Sequence, residues 1–215
     1  GQVGFELVRS LQGLGTVIAP PREALDLVDA RSIEAALAEI QPSLIINPAA
    51  YTAVDQAETD VDQAMRINAA APGELAAAAR RTSVPLIHYS TDYVFDGSKQ
   101  AAYDEADAPN PLNVYGRSKL AGERAIEAAG GAHLILRTSW VYGARGRNFL
   151  RTMLRLGAER SELRIVDDQR GAPTWSRTIA TLTAHIVAQA LAVPREERAR
   201  WWSARTGIYN LSASG

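Results

Sequence analysis

The chain has 215 residues, no cysteine, a formal net charge of −1, and is 47% hydrophobic and 22% charged. This composition is typical of a soluble globular protein and excludes disulfide and thiolate chemistry. Basic residues do not cluster, so we expect no nucleic-acid or anionic membrane partner. No apolar run reaches the roughly 20 residues of a membrane span. Without a targeting signal, the expected location is the cytoplasm.

Helical and strand-like patterns alternate along the chain. Apolar spacing predicts helices, in chain order, over residues 4–14, 29–42, 60–82, 114–130, 147–159 and 176–192. Short apolar runs predict strands over 15–20, 43–50, 84–91, 132–143, 162–168 and 207–212. The alternation predicts an α/β fold, a Rossmann-like doubly wound parallel sheet. Because such sheets bind ligands at the carboxyl ends of their strands, we expect sites just after residues 50, 91 and 140.

The first residues, GQVG, have the spacing of the last two glycines of a G-x-x-G-x-x-G turn. Glycines there let the backbone approach a pyrophosphate at a helix N-terminus. An ordinary glycine-rich helix start is the alternative. We expect the first strand and first glycine to precede residue 1. No acid ends the segment 15–20, but Arg22 is near and favours NADP(H), unless it is a solvated loop residue.

Tyr115 and Lys119 are four residues apart in the predicted helix 114–130, so they share one face. A phenol has a pKa near 10, and a nearby lysine can lower it enough for proton exchange with a substrate oxygen. Ser90 and Thr91 end a predicted strand and offer a hydroxyl for a carbonyl oxygen. A Tyr-x-x-x-Lys pair alone is more often a solvated helix face. Its occurrence with GQVG, NPAA, STDYVF and YGRSK in this order favours a catalytic site.

These motifs carry a resemblance to the extended short-chain dehydrogenase/reductases, and within them to the dTDP-4-dehydrorhamnose reductases. They are GQVG, NPAAYTAVDQAE, YSTDYVFDG, PLNVYGRSKLAGE, RTSWVYG and DDQRGAPT, and they span residues 1–174. The resemblance implies that NADPH, with NADH as the alternative, reduces the C4 keto group of dTDP-4-dehydro-6-deoxy-L-mannose to dTDP-L-rhamnose. Such a reaction belongs to nucleotide-sugar and lipopolysaccharide O-antigen biosynthesis.

The resemblance also assigns roles to residues. Tyr115 is implied as the general acid, Lys119 as the group that lowers its pKa and holds the cofactor ribose, and Thr91 as the group that orients the carbonyl. Implied cofactor contacts, besides Tyr115 and Lys119, are Gly1, Gln2, Val3, Asp26, Leu27, Ala50, Tyr51, Thr52 and Tyr89. Implied substrate contacts, besides Thr91, are Asp92, Trp140, Val54 and Asn148, with Thr52 also near the substrate.

We expect residues 1–145 to form the NAD(P)-binding domain. Residues 146–215 would contribute to its sheet and to a small C-terminal substrate-binding lobe, which we expect to be incomplete. A homodimer is an open option, as is Mg²⁺ with Glu6 as a ligand, although nothing in the sequence supports the metal. The alternative functions are reduction of another nucleotide-linked 4-keto sugar and a non-catalytic role like that of the methionine adenosyltransferase β subunit.

For four side chains the sequence also allows, or favours, a structural role over a functional one. Trp140 could pack at the end of its strand instead of covering a sugar. Asn68, unusual inside a helix, could shape a proton path or be a plain surface residue. Pro48 makes strand pairing uncertain at that point, since it lacks an N–H. His88, like the other two histidines, has no metal-ligand spacing and is predicted to pack.

Overall fold

The computed structural model of the chain describes residues 1–165 and 167–213. Its α-helices are α1 Gln2–Ser10, α2 Ala30–Ile40, α3 Val54–Ala57, α4 Val61–Met65, α5 Ala71–Arg81, α6 Val114–Ala129, α7 Phe149–Glu159, α8 Ser176–Ala192 and α9 Arg198–Ser203. Its strands are β1 Ile45–Asn47, β2 Leu86–Thr91, β3 His133–Thr138, β4 Val141–Tyr142, β5 Thr174–Trp175 and β6 Gly207–Asn210. A π-helical segment, Arg66–Ala70, joins α4 to α5, and 3₁₀ turns span Asp92–Val94 and Arg195–Glu197.

The main sheet is parallel, with strand order β1-β2-β3-β6. All six residues of β2 and all six of β3 are buried, as expected for continuous apolar runs in a parallel sheet. Strands β4 and β5 form a separate two-stranded parallel sheet. The predicted α/β fold with a parallel sheet is confirmed.

Helices cover both faces of the main sheet. On one face Ile87 and Tyr89 of β2 pack with Leu7 of α1 and Ile179 of α8. On the other face, β2 and β3 pack with α5 and α6 through Leu86, Ala76, Ile126 and Ile135. This doubly wound arrangement places α6 directly over the strands that end at the candidate site.

Two predicted strands are wrong. Residues 15–20 form no strand, although Val17 packs against the core, because the described strands offer this segment no hydrogen-bonded neighbour. In the predicted strand 162–168, Val166 lies outside the described residues and the others form no strand. Ile165 is 53% exposed there, so the apolar pattern marks no buried strand.

Element boundaries also differ from the prediction. The predicted strand 132–143 divides into β3 and β4, with a break at Trp140, whose φ is +43°. The predicted helix 60–82 is interrupted by the π-helical segment, and α9 was not predicted. Strand β1 ends at Asn47, so Pro48 lies outside the ladder and removes no sheet hydrogen bond. None of the described helices is long and apolar enough to cross a membrane.

Candidate active site at the carboxyl ends of the strands

The carboxyl ends of β1, β2 and β3 lie at one edge of the parallel sheet, and α6 crosses beside them. Asn113 caps α6, because its side chain accepts a hydrogen bond from the Gly116 N–H at 2.7 Å. The Glu58 carboxylate accepts from the Val114 N–H, also at 2.7 Å. These contacts fix the first turn of α6, which carries Tyr115.

Tyr115 lies in a partly apolar corner. Its ring is 5.5 Å from that of Tyr93 in an edge-to-face arrangement, and it packs with Tyr51 and Val114. Burial raises the pKa of Tyr115 to about 12, while a hydrogen bond with the Thr91 hydroxyl opposes the rise. The phenol is therefore protonated at neutral pH, the form that a proton donor requires.

Thr91 and Asp92 share hydrogen bonds at the end of β2. The Thr91 hydroxyl donates to Asp92 Oδ1 at 3.1 Å and accepts from the Tyr93 N–H at 3.2 Å. The Ser139 hydroxyl, just after β3, donates to the other oxygen of Asp92. Burial raises the pKa of Asp92, and the bonds from Ser139 and Thr91 oppose that rise. The structure thus brings Thr91, Asp92 and Tyr115 together.

Lys119 lies one turn after Tyr115 and is 1% exposed. Its Nζ donates to the Tyr89 carbonyl oxygen at 2.7 Å and lies 3.2 Å from His88 Nε2. Burial lowers the pKa of Lys119 to about 8, while Glu123 acts in the opposite direction. His88 is buried as predicted, but its contact with Lys119 was not foreseen. No sequence signal marks it, since the two residues are 31 positions apart.

The N-terminus of α1 suits a pyrophosphate. Gly1 is the N-cap residue, no described side chain caps the helix, and its first turn carries no acid. An uncapped helix N-terminus offers its backbone N–H groups to an anion. Gln2 is held by α7, since its Oε1 accepts from Asn148 Nδ2 at 2.8 Å, and Val3 packs against the core beside α8.

Tyr51 is fixed by two neighbours. Its N–H donates to Asn68 Oδ1 at 2.8 Å, and its hydroxyl donates to Asp60 at 2.9 Å. Asn68 Nδ2 donates to the Tyr51 carbonyl and to Ser118 of α6, each at 3.0 Å. Asn68 is 1% exposed, so its interpretation as a surface residue is wrong. It ties the loop after β1 to α6.

The other predicted cofactor residues lie in different surroundings. Asp26 accepts from the Val28 N–H at 3.0 Å and is 3.6 Å from Arg22 Nε. Leu27 is buried in a core cluster with Ile33 and Leu75. On the loop after β1, Ala50 is partly buried and Thr52 is exposed.

The side chain of Tyr89, another predicted cofactor residue, points away from Lys119. Its hydroxyl lies 2.8 Å from Thr183 Oγ1 on α8, across the sheet from α6. Burial raises the pKa of this phenol. What Tyr89 offers beside Lys119 is its backbone carbonyl.

Two of the predicted substrate residues, Trp140 and Asn148, follow β3 along the chain. Trp140 is 37% exposed, with its ring 6.2 Å from that of Phe149. Asn148 caps α7 by accepting from the Arg151 N–H at 3.0 Å, and Val54 begins α3. Both Trp140 and Asn148 therefore have structural contacts that would orient them for a ligand.

The suggested magnesium ligand, Glu6, is buried and lies 3.3 Å from Arg177 Nε. Over residues 1–165 and 167–213, no group of three or more acidic or histidine side chains could hold a metal ion.

Comparison with known proteins adds a family. The sequence profile of the family described as RmlD substrate binding domain matches residues 1–215. The chain belongs to this family. It is 49% identical over 215 residues to dTDP-4-dehydrorhamnose reductase of Burkholderia thailandensis, covering all of this chain and 70% of that relative. It is 46% identical over 219 residues to the Escherichia coli K12 enzyme of the same name, with the same coverage.

Solved structures of this family agree with the fold. The dTDP-4-dehydrorhamnose reductase of Bacillus anthracis, solved in complex with NADP, aligns with a TM-score of 0.88 and 36% identity. The ortholog from Clostridium acetobutylicum aligns with a TM-score of 0.88 and 35% identity. Each alignment covers all of this chain and 72% of the other. The resemblance drawn from the motifs is confirmed.

Proposed function

We propose that this chain catalyses the NADPH-dependent reduction of the C4 keto group of dTDP-4-dehydrorhamnose to give dTDP-L-rhamnose. Membership of the RmlD family and the names of the similar enzymes support this activity. The observation that carries it is the grouping of Thr91, Tyr115 and Lys119 where β2 ends beside α6. NADPH is favoured as cofactor because a relative of this fold binds NADP.

When bound, NADPH supplies the hydride. Tyr115 donates the proton to the carbonyl oxygen, since its phenol holds its proton at neutral pH. The Thr91 hydroxyl now donates to Asp92 and would turn to the substrate oxygen to orient the keto group. Lys119, when positively charged, would stabilise the negative charge that develops on the Tyr115 oxygen. In the cofactor-free protein burial dominates, so the pKa of Tyr115 is raised and not lowered as the sequence predicted.

The remaining predicted residues divide between cofactor and sugar nucleotide. The first turn of α1 would hold the pyrophosphate through Gly1, Gln2 and Val3, and Asp26 and Leu27 would lie near the adenine. The residues that would contact the ribose and the nicotinamide are Ala50, Tyr51, Thr52 and the backbone of Tyr89. The sugar nucleotide would be met by Asp92, Trp140, Val54 and Asn148.

We further propose two domains, 1–145 for the cofactor and 146–215 for the sheet and the substrate lobe, with Val54, Asp92 and Trp140 of the first domain also facing the sugar nucleotide. Strand β6 joins the main sheet beside β3, and α8 packs on α1. These contacts support a mixed role for the second region.

The test is to follow NADPH absorbance with dTDP-4-dehydrorhamnose for the wild type and two phenol variants. Tyr115→Phe removes the proton donor and keeps the ring, so we expect a rate roughly 10²–10⁴-fold lower. Tyr93→Phe is the matched control, because the centre of the Tyr93 ring lies 5.5 Å from that of Tyr115. This variant also removes a phenol hydroxyl, but it should retain most activity. Equal losses in both variants would refute the role of Tyr115. A wild type that binds NADPH and leaves the sugar unchanged would favour another keto sugar or a binding protein.

A further inference from the structure

Three buried polar side chains form a connected row beneath the carboxyl ends of β1 and β2. Asn47 Nδ2 lies 3.2 Å from His88 Nδ1, and His88 Nε2 lies 3.2 Å from Lys119 Nζ. His88 is fully buried, and the other two side chains are 5% and 1% exposed. Buried groups of this kind are stable only when each donor meets an acceptor.

The direction of every hydrogen bond in this row follows from one backbone group. The Ala49 N–H can only donate, and it lies 3.1 Å from Asn47 Oδ1. The NH₂ end of the Asn47 amide must therefore face His88, and it can only donate. Consequently His88 Nδ1 is the acceptor, and the single proton of the neutral imidazole is on Nε2.

That proton points at Lys119 Nζ, so Nζ must accept a hydrogen bond. An ammonium has three donors and no acceptor, whereas a neutral amine has one lone pair. The amine satisfies the whole row, since it accepts from His88 and donates to the Tyr89 carbonyl. An ammonium would place an N–H group of Lys119 against the Nε2–H group of His88, with no acceptor between them. Reversing the Asn47 amide would instead set its NH₂ against the Ala49 N–H.

Electrostatics agree with this direction. Burial lowers the pKa of Lys119 to about 8, and burial together with Lys119 lowers that of His88 well below its usual value. The titratable and charged side chains around the pair are Tyr115 and Glu123 on α6, Arg137 on β3, and Asp92 and Tyr93 in the 3₁₀ turn. Glu123, the one that favours the ammonium, is already paired with Arg137.

We propose that His88 is a positioning residue that favours the neutral amine of Lys119 over its ammonium in the cofactor-free protein, and that binding of NADP(H) reverses this preference, so that Lys119 takes up a proton from solvent in mildly basic solution. The oxygens of ribose hydroxyls can accept hydrogen bonds from an ammonium. His88 in this tautomer offers Lys119 only an N–H donor and no such acceptor. The inference rests on the proposed function in that it assumes a nicotinamide cofactor. Its consequence is that Lys119 assists Tyr115 over a wider pH range in the cofactor-bound protein than in the free protein.

The chain has only two lysines, Lys99 and Lys119, so carbon-13 labelling of lysine Cε gives two side-chain signals. The first is an internal reference, because its hydrogen bond with Asp107 raises its pKa. In the free protein we expect Lys119 to titrate at or below about pH 8, and with NADP⁺ above about pH 9. Calorimetry in two buffers of different ionisation enthalpy should then show roughly 0.4–0.9 proton taken up per NADP⁺ bound near pH 9.

The decisive variant is His88→Gln, whose amide oxygen can accept from an ammonium. In the free variant Lys119 should titrate at least about one pH unit higher than in the wild type, and proton uptake on binding should fall. His133→Gln, at another buried histidine whose Nδ1 lies 2.8 Å from the Gly131 carbonyl, should change neither quantity. The wild-type titration needs no variant, so a His88→Gln protein that fails to fold leaves it intact.

A wild-type Lys119 that titrates near 10.5 in the free protein, or that NADP⁺ leaves unchanged, would overturn the proposal. Equal titration in His88→Gln and wild type would do the same. If the sugar is not reduced but both lysine signals behave as expected, the proposed substrate is wrong and the role of His88 stands. If the sugar is reduced while Lys119 titrates high, the role of His88 alone is wrong. Failure to bind NADP⁺ would overturn both.

Discussion

Helix α6 packs so closely against the π-helical segment Arg66–Ala70 that only a glycine, Gly122, fits at the contact. A Cβ built on Gly122 would lie 2.1 Å from the Asn68 carbonyl oxygen and 3.2 Å from the carbonyl carbon. Since ordinary carbon–oxygen contacts start near about 3.3 Å, Gly122→Ala must move the helix by roughly 1 Å. Overpacking of this kind costs about 1–3 kcal/mol, which exceeds the roughly 1 kcal/mol that alanine gains over glycine in a helix.

Gly157 in α7 is the matched control, because a Cβ there would meet nothing within 4 Å. Gly157→Ala should raise the free energy of unfolding by about 0.5–1 kcal/mol, whereas Gly122→Ala should lower it by up to about 2 kcal/mol. The two changes can be compared by urea denaturation followed by far-ultraviolet circular dichroism, with equal m-values as the check on two-state behaviour. If Gly122→Ala is as stable as Gly157→Ala, the close contact between α6 and Asn68 is refuted.

Three further predictions concern buried groups. Between about pH 8 and pH 10.5 the free energy of unfolding of the wild type should rise by about 3 kcal/mol relative to that of Lys119→Met, because the unfolded lysine still binds a proton that the folded one has lost. A pH-independent difference in urea midpoints would contradict this. Arg137→Met should lower the free energy of unfolding by about 3–5 kcal/mol, because it leaves the Glu123 carboxylate buried without its partner. Adding Glu123→Leu should recover most of the loss. Additive changes in this double-mutant cycle would count against the ion pair. Gly171→Ala would place a Cβ against Trp140 Nε1 and displace the indole. The KM for the sugar nucleotide should therefore rise roughly tenfold, while the KM for NADPH stays constant. Equal changes in both KM values would argue against a substrate role for Trp140.

The elements that sequence reasoning located best are those with the strongest local pattern. The runs PLIHYST and HLILRT are rich in apolar and β-branched residues, and they form β2 and β3, although the predicted strand 132–143 extends beyond the end of β3. The run GTVIAP has similar β-propensity but forms no strand, because a strand also needs a neighbour to bond with. A local pattern therefore indicates what a segment can form, and its partner decides whether it does.

The polar contacts of the candidate site were less predictable. The spacing of Tyr115 and Lys119 marked the catalytic helix, and the asparagine inside a helix marked Asn68 as unusual. Nothing local indicated that His88 would meet Lys119, or that Asn68 would occupy a π-helical segment against Gly122. These contacts join residues 31 to 54 positions apart, so they depend on how α6 crosses the sheet.

The buried face of α6 explains why such contacts occur together. A helix packed on a sheet would normally bury apolar side chains, yet α6 also buries three polar ones that each bind another element: Ser118 with Asn68, Lys119 with His88, and Glu123 with Arg137. Buried polar pairs contribute little net stability compared with apolar packing, but they are directional, so each one favours a single position of the helix. Because the three partners lie on the π-helical segment, β2 and β3, a shift of α6 along or around its axis would break at least one of them. Such a restriction suits a helix whose first turn must hold the Tyr115 hydroxyl at a fixed distance from Thr91.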